Sequence, residues 1–248
     1  MLKLNCDLGE GFGIYRIGDD NQIMPYIDMA NLACGFHASD PTHMYESVRL
    51  AKVCDVTIGA HPSYPDLQGF GRRVIQMSAA EIKAMLLYQI GALEAICKVE
   101  GTSVSYIKPH GALYNEMMRD LTLFETIVQT ISSYRATLPL VILSLPDVSA
   151  YERIAHQYGV KLLYELFADR NYTDEGRLVP RGEPHAVISD ESKVVARVEK
   201  LLKDGVIESV NGKVLHLRGD TLCIHSDTPT AQNLVRTLRN TIDAYRDS

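Results

Sequence analysis

Ionisable side chains stand at the ends of short apolar segments along this chain, in a pattern that points to catalysis. Seven apolar runs of strand length occur, and six of them end in residues that can act as acids, bases or cations. The six clusters are Asn5 to Glu10, Cys34 to His37, Gly59 to Pro62, Ile107 to Gly111, Glu165 to Arg170, and His225 to Asp227, while the run Leu140 to Leu143 ends at Ser144. In a parallel β/α barrel the carboxyl ends of the strands surround one mouth, so these clusters would meet in one active site.

Two carboxyl groups, those of Asp7 and Glu10, follow the first run. Paired carboxylates can divide acid and base roles when their surroundings separate their pKa values. The strand-end position of Asp7 favours a catalytic role over the capping of a turn. For Glu10, a place in the site and a place in solvent are equally compatible with the sequence.

Two histidines, His37 and His61, follow the second and third runs. Together with Asp7 they could form an Asp-His-His site for a divalent metal. They could instead act as general bases. No HExxH-type spacing supports a metal, so metal binding stays open. We predict that both histidines and Asp7 are catalytic.

The fourth run ends at Lys108, followed by Pro109, His110 and Gly111. A buried lysine beside a carboxylate can stabilise a developing oxyanion or bind a substrate carboxylate. We therefore predict a catalytic Lys108 rather than a lysine whose ammonium merely reaches solvent at the barrel rim. Tyr114, one helical turn beyond His110, could donate a hydrogen bond to substrate.

The sixth run leads into Glu165, Asp169, Arg170 and Tyr172, with Arg181 further along the same polar segment. Arginine suits two-point binding of a carboxylate or phosphate. An internal ion-pair network that orders the long loop is an equally good explanation. His225 and Asp227 close the seventh run, and Arg72 and Arg73 add a cationic pair after Gly69-Phe-Gly71.

The composition excludes several classes of function. The 248 residues carry 25 Lys and Arg against 31 Asp and Glu, a net charge of −6, which argues against binding nucleic acid or a membrane surface. The five cysteines form no CxxC pair, no signal peptide is visible, and no apolar stretch approaches the ~20 residues of a membrane span. We expect a reduced, cytoplasmic protein that folds as a single domain over residues 1–248.

The elements that must position these residues alternate between strand and helix. The predicted strands are Leu2–Cys6, Met29–Ala33, Val56–Ala60, Val104–Lys108, Leu140–Leu143, Lys161–Glu165 and Leu222–His225. The predicted helices are Pro41–Cys54, a run from the Ser78-Ala-Ala-Glu81 capping box to Glu100, Leu121–Tyr134, Asp147–Tyr158, Asp190–Lys203 and Pro229–Tyr245, the last after Thr228-Pro229 as a second cap and proline. This order calls for a parallel sheet, either open and doubly wound or closed. Six clusters converge more readily around one mouth, so we predict an irregular seven-stranded parallel β/α barrel, TIM-barrel-like in class.

Two segments interrupt the alternation, and several common motifs are absent. Phe167–Ile188 is long and polar and is predicted to be a flap near the mouth. Val206–Leu217 is predicted to be a hairpin that turns at Asn211-Gly212. The chain has no GxxxxGK[ST] phosphate loop and no GxSxG elbow. Gly9-Glu-Gly11-Phe-Gly13 lacks the dinucleotide-binding spacing and is interpreted as a flexible active-site loop.

Six sequence blocks together resemble the LamB/YcsF family, over residues 2 to about 235. The blocks are Asn5-Cys-Asp-Leu-Gly-Glu-Gly-Phe-Gly13, Asn31-Leu-Ala-Cys-Gly-Phe-His37, Gly59-Ala-His-Pro62, Gly69-Phe-Gly-Arg-Arg73, Lys108-Pro-His-Gly-Ala-Leu-Tyr-Asn115 and Phe167-Ala-Asp-Arg170. The resemblance implies a seven-stranded barrel related to the glycoside hydrolase/deacetylase superfamily. It also implies ATP-dependent opening of 5-oxo-L-proline to L-glutamate, together with 5-oxoprolinase subunits B and C. The family's polar positions map onto Asp7, Glu10, His37, Asp40, His61, Lys108, His110, Asp169, Arg170 and His225.

Three positions depart from the family pattern. Ser39 stands where the family usually has glycine, and Ser226 stands in a His-Gly-Asp position. Pro184-His185-Ala186 replaces a usual Ser/Pro-Gly-Ala in the flap. Serine in place of glycine is tolerated unless the backbone needs a positive φ.

The resemblance therefore implies a hydrolase subunit that acts on a small cyclic amide bearing a carboxylate. A lactam is a poor electrophile, and phosphorylation of its amide oxygen by ATP would create a good leaving group. Because the chain lacks a phosphate loop, partner subunits are expected to handle ATP, with Mg²⁺, while this chain supplies the ring-opening pocket. The substrate-binding candidates are Glu10, Asp40, His110, Tyr114, Asp169, Arg170, Arg181 and His225. Two alternatives are a metal-dependent deacetylase or deamidase using Asp7, His37 and His61, and a non-catalytic metabolite-binding regulatory subunit.

Overall fold

Seven parallel strands close into a barrel, which confirms the closed form over the open sheet. The computed structural model describes residues 2–225 and 231–246. The strands, in chain order, are β1 (Lys3–Leu8), β2 (Met29–Ala33), β3 (Thr57–His61), β4 (Tyr106–Ile107), β5 (Leu140–Leu143), β6 (Leu162–Phe167), β7 (Val206–Glu208), β8 (Val214–His216) and β9 (Thr221–Ile224). The barrel runs β1-β2-β3-β4-β5-β6-β9, with β7 and β8 as a separate antiparallel pair.

Strand β9 closes the barrel because it pairs in parallel with both β1 and β6. Its residue Thr221 lies opposite Lys3 on one side and opposite Glu165 on the other. The first and sixth strands of the sequence are thereby joined through the last one. The clusters that follow β1, β6 and β9 consequently become neighbours around one mouth.

Helices cover the outside of the barrel. They are α1 (Asp20–Ile23), α2 (Pro41–Val53), α3 (Ala79–Val99), α4 (Gly111–Met117), α5 (Leu121–Arg135), α6 (Ser149–Gln157), α7 (Glu191–Asp204) and α8 (Ala231–Arg246), with a 3₁₀ turn at Met24–Tyr26. The predicted capping box is present, since Ser78 and Glu81 bond to each other's backbone N–H groups at the start of α3. The sequence patterns did not predict helix α4, and the predicted start of the last helix at Thr228-Pro229 lies outside the described residues.

Several strand ends differ from prediction in ways that matter for the site. Strand β1 continues to Leu8, so Asp7 lies within the strand rather than after it, and β6 continues to Phe167, so Glu165 lies inside its strand rather than at the last position. Strand β4 is only two residues long, which leaves Lys108 just past its end. Side chains alternate between the two faces of a strand, so Asp7 and Glu165 point into the barrel while their neighbours pack outward.

The barrel interior is filled in layers from one end to the other. Met29, Tyr106 and Val141 form a small apolar cluster inside the barrel, separate from the main core between barrel and helices. The Tyr106 ring fits because its neighbour is Gly59, where a Cβ atom would lie 2.1 Å from a ring carbon. The polar groups of the barrel interior, Asp7 and Lys108 among them, line the cavity at the mouth.

The two irregular segments are ordered. Asn211-Gly212 turns the β7–β8 hairpin as predicted, with Gly212 at φ 81. The flap after β6 is held by antiparallel bridges from Arg170 to Val187 and from Tyr172 to Leu178. Tyr172 is fully buried, and its hydroxyl accepts a hydrogen bond from the Phe167 N–H at 2.7 Å. The flap is therefore packed onto the end of β6.

Two departures from the family pattern occur where the backbone is left-handed. Ser39 has φ 74 and His185 has φ 63. A side chain in this region costs free energy because its Cβ crowds the following carbonyl, whereas glycine avoids that contact. The backbone at Ser39 has the positive φ at which serine is not a neutral replacement for glycine. Both Ser39 and His185 therefore carry local strain. Ser226, the third departure, is outside the part of the chain that the structure describes.

Within residues 2–225 and 231–246, no helix has the combination of length and apolarity required to cross a membrane.

Candidate functional site

A network of buried amide and hydroxyl groups lies directly above the apolar layer. The Tyr106 hydroxyl donates to Asn31 Oδ1 at 2.7 Å, and Asn31 Nδ2 donates to Asn5 Oδ1 and to Asp7 Oδ1, both at 2.8 Å. Asn5 Nδ2 in turn donates to Thr221 Oγ1 at 2.7 Å. The network satisfies the buried polar groups and fixes the position of the Asp7 carboxylate.

The ammonium group of Lys108 lies at the centre of the site. Its Nζ is 2.9 Å from Asp7 Oδ1 and 2.8 Å from Glu165 Oε1, and it also contacts Asn5 Oδ1 and Cys223 Sγ, each at 3.2 Å. Burial alone would lower the pKa of Lys108, but the charges of Asp7 and Glu165 outweigh burial and hold the pKa well above its usual value. Lys108 therefore stays protonated and can stabilise negative charge, but it cannot serve as a base near neutral pH.

Asp7 is held as a carboxylate by the same neighbours. Burial would raise the pKa of Asp7, but His61 and Lys108 favour the charged form and keep the pKa well below its usual value. Its Oδ2 lies 3.4 Å from His61 Nε2. A carboxylate beside an imidazole is the arrangement that orients a histidine and stabilises its protonated form.

Glu165 is a central residue that the sequence analysis left out of its candidate site. It is fully buried, and besides its contact with Lys108 its Oε2 accepts a hydrogen bond from the Tyr114 hydroxyl at 2.8 Å. Burial, followed by the nearby Glu165, raises the pKa of Tyr114 well above its ordinary value, so the phenol keeps its proton. The available signal was a glutamate inside an apolar strand, where a carboxylate is rarely placed without a partner.

Three buried histidines lie next to the Asp7 carboxylate. His61 Nδ1 is 2.6 Å from the Lys108 carbonyl oxygen, and His61 Nε2 is 2.9 Å from His110 Nδ1. The His37 ring stacks on the His110 ring with centroids 3.7 Å apart, and His37 Nε2 lies 3.1 Å from Glu10 Oε1. Burial, reinforced by the neighbouring imidazoles, lowers the pKa of both His37 and His110 well below its usual value. These two rings are neutral at physiological pH.

A cavity of about 390 Å³ opens at this end of the barrel. Nine of the predicted site residues line it: Asp7, Glu10, His61, Lys108, His110, Tyr114, Arg170, Arg181 and His225. Phe70, Phe167, Arg72 and Arg119 were not predicted as site residues and also line it. The cavity combines a charged floor with arginines, a surface suited to a small anionic molecule.

Three predicted site residues lie away from the cavity lining. Asp40 caps helix α2, with its Oδ1 accepting from the N–H groups of Thr42 and His43, and its Oδ2 accepting from the Gly13 N–H. His37 contacts the Glu10 carboxylate and stacks on the His110 ring, and it does not line the cavity. Asp169 holds His225, whose Nδ1 is 3.0 Å from both carboxylate oxygens. All three contact other protein groups, and their predicted roles, catalysis for His37 and substrate binding for Asp40 and Asp169, stay predictions.

The contacts of Arg170 are compatible with both roles suggested from the sequence, binding of substrate and ordering of the long loop. It reaches the cavity, but its guanidinium also donates to the carbonyl oxygens of Ala186 and Val179, at 3.1 and 2.6 Å. Burial, followed by the charge of Arg181, lowers the pKa of Arg170 to about 10. Hydrogen bonds from Arg170 to backbone carbonyls therefore help to order the loop.

The set of Asp7, His37 and His61, one possibility raised from the sequence for binding a metal, differs from the sets that converge in the structure. The structure instead groups His37 and His61 with Glu10 and His110, all four buried, with one ligand atom from each within 4.8 Å of the others. Asp7 belongs to a second group with Cys223 and His225. The difference arises because Lys108, rather than a histidine pair, occupies the space in front of Asp7 Oδ1.

Fold and site together define a β/α-barrel protein with a buried, charged site at the carboxyl ends of its strands, the place where barrel enzymes carry their active sites. The profile of the LamB/YcsF family matches residues 2–246, and the chain belongs to that family. It is 47% identical over 242 residues to the A subunit of 5-oxoprolinase from Vibrio cholerae serotype O1, covering 98% of both chains. It is 48% identical over 240 residues to the A subunit of 5-oxoprolinase from Chromohalobacter salexigens, covering 97% of this chain and 96% of the relative.

A solved structure shares this fold. The lactam utilization protein from Thermus thermophilus superposes with a TM-score of 0.90 at 40% identity, covering 98% of this chain and 96% of that one. The barrel, predicted from the alternation of strands and helices, is thus shared with a similar protein of nearly equal length.

Proposed function

We propose that this chain acts as the A subunit of an ATP-dependent 5-oxoprolinase, which opens the lactam of 5-oxo-L-proline to give L-glutamate with ADP and phosphate. The observation that carries the proposal is the 46–48% identity, over nearly the whole chain, to proteins named as the A subunit of 5-oxoprolinase. The name of the structural relative, a lactam utilization protein, supports the same class of substrate.

The cavity suits a small cyclic amide that bears a carboxylate. Arg72, Arg119 and Arg181 lie around it and can pair with the carboxylate of 5-oxo-L-proline. Phe70 and Phe167 offer apolar surface to the ring. We assign substrate anchoring to the arginines, with Arg181 on the flap as the first candidate.

Lys108 is assigned the stabilisation of negative charge on the reacting carbonyl. Hydrolysis adds the oxygen of water to the carbonyl carbon, breaks the ring C–N bond and delivers a proton to nitrogen. Because the amide oxygen carries the phosphoryl group, ring opening leaves an acyl phosphate, and a second water releases phosphate and the side-chain carboxylate of L-glutamate. Negative charge lies on the phosphoryl group and on the oxygen added from water, and a positioned ammonium group in a buried site stabilises such charge strongly. Asp7 Oδ2 and His61 Nε2, 3.4 Å apart at the same cavity, are the candidates for taking the proton of the attacking water.

ATP chemistry is assigned to the assembly rather than to this chain alone. The sequence has no GxxxxGK[ST] loop. The relatives are each named as one subunit of an enzyme, which supports further subunits, for which we propose 5-oxoprolinase subunits B and C. These would bind ATP with Mg²⁺ and phosphorylate the amide oxygen, while this chain provides the pocket for ring opening. The cytoplasm remains the compartment predicted from the cysteine pattern.

The proposal is tested by measuring ATP-dependent glutamate release from 5-oxo-L-proline, with the chain alone and with candidate subunits B and C. We expect little or no turnover by the isolated chain and full turnover by the mixture. Strong turnover by the contaminant-free chain with ATP would show the division of labour to be wrong. A mixture of folded subunits that releases no glutamate would count against the function itself.

One observation favours the second candidate function, a metal-dependent deacetylase or deamidase. The cluster of Glu10, His37, His61 and His110 has the donor types of a transition-metal site. Such an enzyme would release acetate or ammonia from its substrate without ATP and would lose activity on chelation. Activity of the subunit mixture that requires ATP and 5-oxo-L-proline would exclude this alternative.

A further inference from the structure

The hydrogen bonds of two histidines leave two lone pairs facing each other. His61 Nδ1 lies 2.6 Å from the Lys108 carbonyl oxygen, and His110 Nε2 lies 2.9 Å from the Phe70 carbonyl oxygen. A carbonyl oxygen can only accept, so each of these ring nitrogens carries a hydrogen. An imidazole that carries one hydrogen has a lone pair on its other nitrogen, and the nitrogens concerned here, His61 Nε2 and His110 Nδ1, are 2.9 Å apart. Two lone pairs this close repel unless a proton or a metal ion lies between them.

A third possible metal ligand, the Glu10 carboxylate, lies near His61 Nε2 and His110 Nδ1. Glu10 Oε1 is 3.5 Å from His110 Nδ1. Ligand atoms bound to one transition-metal ion at about 2.0–2.2 Å lie roughly 2.8–3.6 Å from each other when their bond angles are between those of octahedral and tetrahedral geometry. The separations of 2.9 and 3.5 Å fall within this interval. We propose that Glu10, His61 and His110 bind one divalent transition-metal ion.

His37 is excluded as a fourth ligand by its stacking. The rings of His37 and His110 are parallel to within 4°, with centroids 3.7 Å apart. An imidazole lone pair lies in the plane of its ring, so two stacked rings cannot direct their lone pairs at one ion. His37 Nε2 instead donates to Glu10 Oε1 at 3.1 Å, and His37 does not line the cavity, whereas the three ligands do. His37 is a positioning residue that orients the ligating carboxylate.

The hydrogen bonds made by the three proposed ligands are those typical of a metal site. Ligating histidines usually donate their second N–H to a backbone carbonyl or carboxylate, and ligating carboxylates are usually hydrogen-bonded in turn. His61 and His110 both donate to carbonyls, and Glu10 accepts from His37. Two histidines and one carboxylate leave coordination positions open on the cavity side. With His61 as a ligand, Asp7 becomes the base of the proposed function.

The second group of possible ligands does not fit a cation. Asp7, Cys223 and His225 approach each other. However, the Lys108 ammonium lies 2.9 Å from Asp7 Oδ1 and 3.2 Å from Cys223 Sγ, so a metal ion there would be repelled and sterically blocked. His225 Nδ1 is also engaged by Asp169. The proposed ion therefore binds at the Glu10 side of the cavity.

The test is a metal titration that involves no catalysis. The untagged chain, freed of metal with a chelator, is titrated calorimetrically with Zn²⁺, Mn²⁺ and Co²⁺ in the absence of ATP and 5-oxo-L-proline. We expect one ion per chain for at least one of the metals, and visible absorption when Co²⁺ binds. Because neither substrate is present, a negative result would leave the glutamate-release assay unaffected.

Variants locate the ion. Glu10→Gln and His110→Asn should each raise the Kd by more than about 100-fold. His37→Phe keeps the stacked ring but removes the donor to Glu10, so one ion should still bind, with a Kd raised roughly 10–100-fold. The control His216→Asn removes an exposed imidazole on β8 and should bind like the unmodified chain.

Circular dichroism spectra first establish which variants fold. Two ligand variants, Glu10→Gln and His110→Asn, are made because one folded ligand variant is enough for the test. Absence of binding by the unmodified chain would overturn the proposal and would leave a shared proton between His61 and His110. Binding that persists unchanged in a folded Glu10→Gln or His110→Asn variant would overturn it equally. A His37→Phe variant that loses all binding would make His37 a ligand and refute the stacking argument.

Discussion

Lys108 Nζ and Asp7 Oδ1 lie 2.9 Å apart in the barrel interior, although the two residues are 101 positions apart in the sequence. Glu165, from a later part of the sequence, contacts the same ammonium group, with its Oε1 2.8 Å from Lys108 Nζ. The pair is buried, so each charge depends on the other for compensation. This mutual dependence means that a substitution at Lys108 affects both catalysis and stability.

Replacing Lys108 by methionine should reduce turnover of the assembled complex by roughly 10²–10³-fold, because one group that stabilises negative charge is lost. From sequence, the fold of this variant would be expected to change little, since Met keeps much of the side chain's bulk. The structure predicts otherwise. Two buried carboxylates lose their cation, which typically costs about 3–5 kcal/mol. The melting temperature of the variant and the kcat of the complex measure the two effects.

A second substitution separates the two effects of Lys108→Met. Glu165→Gln removes one of the carboxylates left unpaired, so the double variant should regain part of the lost stability while staying inactive. Near-normal turnover in a folded Lys108→Met complex would reject the catalytic assignment. The cationic role would then pass to Arg170 or Arg181.

The hydroxyl of Tyr114 is expected to matter for the site as well as for stability. Tyr114→Phe removes the hydrogen bond to the buried Glu165, a charged acceptor, and should cost about 1.5–3 kcal/mol. Because Glu165 faces Lys108, kcat should also fall. Tyr151→Phe is a matched control, since it removes a buried hydroxyl bound to the Met118 carbonyl outside the cavity. Urea unfolding should show both losses, whereas only Tyr114→Phe should lower kcat; equal kcat values would restrict Tyr114 to a structural role.

Stability at acid pH should depend on Asp40. Burial would raise its pKa, but hydrogen bonds from the N–H groups of Gly13, His43 and Thr42 and from the His43 ring lower the pKa to about 2. In the unfolded chain the value is about 3.9. Because the folded-state pKa is the lower one, the stabilisation is fully present above the unfolded value and is lost as the pH falls toward 2. The N-cap itself is worth about 0.5–2 kcal/mol.

Comparing the unmodified protein with its Asp40→Asn variant measures this dependence of stability on pH. Asp40→Asn keeps an oxygen that can cap helix α2 but removes the charge. The difference in unfolding free energy between the two proteins should shrink as the pH falls from about 4 to 2. A difference that does not change with pH would contradict the assigned hydrogen bonding. A loss of activity without a loss of stability would restore the predicted substrate contact.

The strained backbone at Ser39 offers a stabilising substitution. Its φ of 74 costs roughly 1–2 kcal/mol for a residue with a Cβ, and glycine removes that cost while adding about 0.5–1 kcal/mol of unfolded-state entropy. Ser39→Gly should therefore raise the unfolding free energy by about 0.5–1 kcal/mol. Ser39→Ala, which keeps the Cβ and removes the hydroxyl, should bring no gain in urea titrations. A gain shared by both variants would trace the effect to the hydroxyl instead.

Much of the fold and part of the site followed from local patterns. Apolar runs separated by amphipathic helices predicted the barrel, because strand and helix periods are set by residues close in sequence. The same patterns placed Asp7, His61 and Lys108 at strand ends, and the structure brings all three to one cavity. The Ser78 capping box and the Asn211-Gly212 turn are likewise local and were correct.

Only the tertiary structure decided which of these groups meet. Asp40 and His37 carry the same side chains in any fold, but the packing of α2 turns Asp40 into a helix cap and the ring of His110 covers His37. Glu165 was passed over because its partners, Lys108 and Tyr114, are more than 50 residues away in sequence and reach it only when β4, β5 and β6 lie side by side in the barrel. Sequence patterns determine which face of a strand a residue occupies, whereas its partners depend on contacts between distant segments that form only in the folded chain.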